Sequence, residues 1–112
     1  MNIEKGMYVR TDTGNILKYE NEMKEFIDEH ISLRNGKDIE FLGTIVNKPS
    51  HKIIDAIRIG DLINNQIITN INYLEDERLS LTTVTGNFIR NNDIKSILTK
   101  EQISAHSVKL EV

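Results

Sequence analysis

One short pattern occurs twice in this chain, and it dictates bent β-structure in both halves. Ile3-Glu4-Lys5-Gly6-Met7-Tyr8-Val9 begins the first half, and Ile57-Arg58-Ile59-Gly60-Asp61-Leu62-Ile63 begins the second. Each sets an apolar residue, a glycine three positions on, and another apolar residue three further. Each leads into a second strand-like run ending near a tyrosine, Gly14 to Tyr19 in one case and Gln66 to Tyr73 in the other. Glycine just before a strand admits a sharp entry turn that a residue with a Cβ resists. The doubled entry predicts two small, strongly bent β-units.

Turn chemistry fills in the order of elements. Residues 7–10 and 15–19 read as strands around Thr11-Asp12-Thr13-Gly14-Asn15, whose Asp, Gly and Asn suit a hairpin. From Glu20 to Arg34 the period changes. Met23, Phe26, Ile27 and Ile31 recur at helical spacing, Asn21 stands as a cap and Asn35-Gly36 as a stop, which predicts an amphipathic helix over 21–33. Asp38 to Asn47 reads as a strand that Pro49 ends, and Ser50 caps a short turn reaching Ala56. Strands follow at 62–63 and 67–73 around Asn64-Asn65, and at 79–84 and 88–90 around Gly86-Asn87. A tight turn at Asn92-Asp93-Ile94 precedes a strand at 95–98. Thr99-Lys100-Glu101-Gln102 has capping-box spacing for a brief helix, and Ser107–Val112 alternates as an edge strand.

The class expected is mainly β with minor α: small SH3-like barrel or half-barrel units with one inserted amphipathic helix. A single domain spans 1–112, divided into an N-terminal hairpin (1–19), a helix–strand insert (20–47) and an SH3-like β-unit (50–112). A fold of this kind does not specify a function.

The residues exclude more chemistry than they suggest. The chain has 112 residues and no cysteine, which leaves room for a core and removes disulfide frameworks and thiolate metal sites. Its net charge of −3 argues against a dedicated nucleic-acid binder. No apolar window approaches membrane-span length, and Met1-Asn2-Ile3-Glu4-Lys5 lacks a signal-peptide layout, so a cytoplasmic location is expected. His30, His51 and His106 are scattered and form no His-x-x-x-His pair. Asp12-Thr13-Gly14 resembles the aspartic-protease trio but has no second copy to share a proton, and a hairpin turn accounts for it. Glu75-Asp76-Glu77 lacks the alternating ligands and glycine of a calcium loop. No catalytic residue, cofactor or metal is expected.

Two binding surfaces remain. The acidic run Glu20, Glu22, Glu25, Asp28 and Glu29 is ordinarily a solvated face, yet it can present a row of carboxylates to a basic groove on a protein partner. The alternative uses Arg10, Lys18 and Arg90, with Lys95 beside them, as a basic strand face and Tyr8, Tyr19 and Phe88 as stacking surfaces for nucleic acid.

Three segments carry a resemblance: Gly6-Met7-Tyr8-Val9-Arg10-Thr11 with Gly14-x-Ile16, Ile53-Ile54-Asp55-x-Ile57-x-x-Gly60-Asp61 with Asn64, and Asp93 to Gln102. Together they resemble a family of small, largely uncharacterised proteins encoded by phages and prophages of low-GC Gram-positive bacteria. The resemblance covers both ends and the middle and hardly touches 20–47. Ser50-His51-Lys52 stands where the family often has Ser-Pro-Asn, and Ile103 where it often has an aromatic. No catalytic residue transfers. The resemblance implies a phage-type non-enzymatic binder that inhibits a host defence nuclease, anti-CRISPR-like, by contact with a host or CRISPR-type effector protein, with 20–47 carrying specificity. Alternatives are an SH3-like nucleic-acid accessory protein, a phage structural or assembly component, and a sponge for a nucleotide signal.

Overall fold

Both glycine entries are tight turns in the computed structural model, which describes residues 3–19, 24–27, 30–35 and 38–106. Gly6 and Gly60 hold φ at +91° and +97°. The Met7 N–H donates to the Glu4 carbonyl and the Asp61 N–H to the Arg58 carbonyl, both at 3.1 Å, so each glycine takes the third place of a four-residue turn. Each glycine N–H then reaches the returning chain, Gly6 to the Tyr19 carbonyl and Gly60 to the Ile68 carbonyl, at 2.9 Å. The apolar members of the pattern become core: Val9, Ile57 and Ile63 are fully buried, and Ile3 packs on Val9 and Ile45.

The chain is mainly β with a minor helical part. A hairpin of β1 (Tyr8–Arg10) and β2 (Ile16–Lys18) comes first. A three-stranded antiparallel sheet follows, made of β3 (Lys24–Ile27), β4 (His30–Asn35) and β5 (Asp38–Thr44). The second half is a five-stranded antiparallel sheet built from β6 (Leu62–Ile63), β7 (Gln66–Leu74), β8 (Glu77–Thr83), β9 (Phe88–Ile89) and β10 (Ile97–Leu98). Its order is β10-β6-β7-β8-β9, and the two outer strands are not paired with each other, so the sheet is open. Short 3-10 turns at Ile53–Ala56 and Asn91–Asp93 precede β6 and β10, and α1 (Lys100–His106) follows the sheet. Ile54, Ile57, Ile63, Ile68, Leu81 and Ile89 form the main core, and Ile16 of the first hairpin packs against it.

The helix expected at 21–33 is not there: its described residues form β3 and β4. Phe26 pairs with Ile31 and Ile27 with His30, and β4 then pairs with β5 from His30↔Thr44 to Asn35↔Asp38. The cause is competition between two periods. A short apolar run fits 3.6 and 2 about equally, and Ile31-Ser32-Leu33-Arg34 alternates as a strand does. Asn-Gly, taken as a helix stop, is also the strongest short hairpin signal. With β5 next in the chain as a ladder partner, the strand pairing prevails. The strand expected at Ser107–Val112 lies outside the described residues.

Two other local expectations hold, while Ser50, expected as a cap, donates to the Asp55 side chain and the 3-10 turn at Ile53–Ala56 starts from Lys52 with no side-chain cap. Thr99 and Gln102 cap α1 reciprocally: the Gln102 N–H donates to Thr99 Oγ1 at 3.4 Å and the Thr99 N–H to Gln102 Oε1 at 3.1 Å. Asn64 and Asn65 form the β6–β7 turn with φ of 51° and 65°. The Asn64 side chain accepts from the Lys95 and Ser96 N–H groups at 2.7 and 3.1 Å and donates to the Asp93 carbonyl at 2.7 Å, clamping the approach to β10. Asn64→Gly keeps the backbone conformation and loses all three bonds. It is expected to cost about 1–3 kcal/mol in urea denaturation, while Asn65→Gly is expected to stay within about 0.5 kcal/mol of wild type.

Candidate protein-binding surface

A second repeat, Thr-x-Thr-Gly-Asn, is built into the turns of two hairpins. Thr11-Asp12-Thr13-Gly14-Asn15 joins β1 to β2, and Thr83-Val84-Thr85-Gly86-Asn87 joins β8 to β9. The strands are in the same register, Arg10↔Ile16 and Val9↔Leu17 against Thr82↔Phe88 and Leu81↔Ile89.

The backbone and threonine hydrogen bonds within the two turns match, and Thr85 and Asn87 of the second also bond to Gln66. The first threonine N–H donates to the asparagine carbonyl at 2.9 Å in both. The glycine N–H returns to the first threonine carbonyl at 3.0 and 2.9 Å. The asparagine N–H donates to the first threonine Oγ1 at 3.1 Å in both, and the two threonine hydroxyls pair at 2.9 and 3.1 Å. The second residue's N–H crosses to a third strand, Asp12 to the Thr44 carbonyl and Val84 to the Ile67 carbonyl. The loop is thus a rigid, self-satisfied unit.

The first copy is covered. Thr99 Oγ1 donates to the Gly14 carbonyl at 2.7 Å, a buried bond, and Gly14 and Ile16 line the seam beside Thr99 and Gln102. Beneath the seam lies a buried ion cluster. Arg10, fully buried, donates to both Asp61 oxygens at 2.5 and 2.9 Å, to Glu101 Oε2 at 2.6 Å and to the Ala56 carbonyl at 3.0 Å. Asp61, also fully buried, further accepts from the Arg58 and Lys100 N–H groups. Burial alone would lower the Arg10 pKa, but the hydrogen bonds and charges of Asp61 and then Glu101 outweigh it and hold the value above its ordinary level. Arg10 is therefore a permanent cation that ties hairpin, second β-unit and α1 together. The cluster is a staple.

The second copy is open. Nothing lies within 4 Å of where a Cβ on Gly86 would stand. Val84 and Phe88 are 64% and 70% exposed, and Tyr73 and Leu74 at the far end of β7 are 58% and 63% exposed. Phe88 occupies the register position that Ile16 fills in the first copy, where the side chain packs on the core.

A hollow of about 550 Å³ lies between residues 46–58 and the β7–β8 turn. Its polar lining is committed to holding that segment: Arg78 donates to the Ile54 and Ile57 carbonyls at 2.8 and 2.6 Å, Arg58 to the Val46 carbonyl, and the Ser50 hydroxyl to Asp55. It is scaffold.

The residues singled out in the sequence do not converge. Of the acidic run, Glu25 lies on β3 opposite Ser32 rather than on a helix, and Glu20, Glu22, Asp28 and Glu29 lie outside the described residues. Arg10, read as a nucleic-acid contact, is buried in the staple and unreachable by phosphate. Lys18 sits over the Tyr8 ring at 5.9 Å, and Arg90 borders a separate hollow beside Asn91 and Asn92. His51 pairs with Glu4 at 3.1 Å on the surface, and His106 ends α1. Among the described residues no three His, Cys, Asp or Glu side chains cluster as metal ligands. The Thr-x-Thr-Gly-Asn repeat was present in the residues all along, but at a different offset from the glycine entries. No protein-family model, curated protein or solved structure matches the chain.

Proposed function

We propose that this chain is a small non-enzymatic binding protein acting by protein–protein contact, and that the open face of the β8–β9 hairpin makes the contact. The observation that carries this reading is the exposure of Val84 and Phe88 on a loop whose backbone is fixed by its own hydrogen bonds. Such a loop loses little conformational freedom on binding, and aromatic anchors dominate interface energies. The strand order β10-β6-β7-β8-β9, with a 3-10 turn before the last strand, supports an SH3-like description of the second half.

The narrower role, a phage-type inhibitor of a host defence nuclease, follows from the resemblance of Gly6–Thr11, Ile53–Asp61 and Asp93–Gln102 to phage-encoded proteins. The test is capture from a low-GC Gram-positive lysate, followed by a cleavage assay on the retained nuclease. Wild type is expected to retain a nuclease and suppress its cleavage. Phe88→Ser is expected to weaken retention about tenfold or more at unchanged melting temperature, because the ring lies outside the core. Full cleavage in the presence of excess protein would remove the inhibitor role. Retention undiminished by Phe88→Ser and Val84→Asp together would remove the hairpin.

A further inference from the structure

We infer that the β8–β9 hairpin receives the N-terminal turn of a partner protein's helix, one with a hydroxyl-bearing N-cap. This rests on the protein-contact reading and specifies its chemistry. The warrant is internal, because the molecule already holds one Thr-x-Thr-Gly-Asn loop in its occupied form. There the occupant is Thr99-Lys100-Glu101: the Thr99 hydroxyl donates to the Gly14 carbonyl, the Glu101 stem lies on Gly14, and the Glu101 carboxylate pairs with a guanidinium. Gly14 and Gly86 share φ values of 88° and 86°, so the two loops offer their glycine faces in the same way.

The second loop repeats the glycine turn with the occupant absent, and Thr82 stands at the register position of Arg10. Among the described residues, the Gly86 carbonyl accepts no hydrogen bond. Phe88 replaces Ile16 as the apolar floor and Val84 replaces Asp12, which makes the open face more apolar than the covered one. The chain's own α1 cannot serve, since Thr99 is buried against the first loop, and a second copy has its α1 committed in the same way. The occupant comes from another protein.

The experiment is an NMR titration of the full chain, 15N-labelled, with a helix-stapled synthetic peptide of residues 97–106 carried into the millimolar range. Stapling removes the ordering cost that makes so short a helix marginal in water. Saturable shifts are expected at Val84, Thr85, Gly86, Asn87 and Phe88. The Kd is expected to rise about tenfold with Phe88→Ser in the protein, and as much with threonine-to-valine at the peptide's cap position. Absence of saturable shifts, shifts centred on Gly14 and Ile16, or concentration-dependent shifts of the protein alone would each overturn the inference. If partner capture still depends on Phe88 while the peptide fails, the contact stands and only its helix chemistry falls.

Discussion

Replacing Arg10 with methionine is expected to destabilise the protein by about 3–5 kcal/mol, which for a domain of this size is a melting-temperature drop of roughly 12–20 °C. Methionine keeps most of the apolar stem, so the loss is electrostatic. Asp61 would remain fully buried with two backbone N–H partners but no countercharge. A domain of this length has about 5–15 kcal/mol in total, so the variant approaches the threshold of folding. Glu101→Gln should cost far less, about 1 kcal/mol, because its carboxylate is 25% exposed and keeps water on one side. Removing both buried charges, Arg10→Met with Asp61→Leu, is expected to recover part of the loss, since an apolar pair replaces an ion pair more cheaply than a lone buried charge. Thermal denaturation of the three variants checks the ranking. An Arg10→Met protein as stable as Glu101→Gln would show that the cluster is not a staple.

The second large effect separates the two hairpins. Gly14→Ala is expected to cost about 2–5 kcal/mol and Gly86→Ala about 1–2 kcal/mol. The two glycines share the same left-handed backbone, so strain contributes equally to both. What differs is space. A methyl on Gly14 would run into the Thr99 hydroxyl and the Glu101 Cβ at 2.8 Å, whereas one on Gly86 meets nothing within 4 Å. The difference therefore measures the docking of α1 on the first loop, and urea denaturation reads it directly. Equal costs would mean that α1 does not dock there, and the first hairpin would lose its standing as a template for the second.

Local turn chemistry was legible in the residues, and long-range pairing was not. Gly6, Gly60, Asn64-Asn65 and the Thr99–Gln102 box each declare themselves because their reasons are contained within a few residues. The 21–33 segment does not, because Phe26, Ile27 and Ile31 satisfy both periods and Asn35-Gly36 serves as either helix stop or hairpin turn. Only the proximity of β5 decides. Arg10 reads as a solvent-facing strand cation until Asp61 and Glu101, 51 and 91 residues away along the chain, are brought to it. The duplicated loop at 11–15 and 83–87 is plain as text, yet its meaning is positional. One copy carries a helix and the other carries nothing, and no sequence pattern distinguishes a covered loop from an open one.

Amide hydrogen exchange on the protein, alone and bound to the partner obtained by capture, tests the central claim most directly. Protection is expected to rise across Thr83–Arg90 on binding, while the Thr11–Asn15 loop, already covered by α1, stays as it was. New protection confined to Lys24–Thr44, with Thr83–Arg90 unchanged, would place the contact on the three-stranded insert and contradict the account.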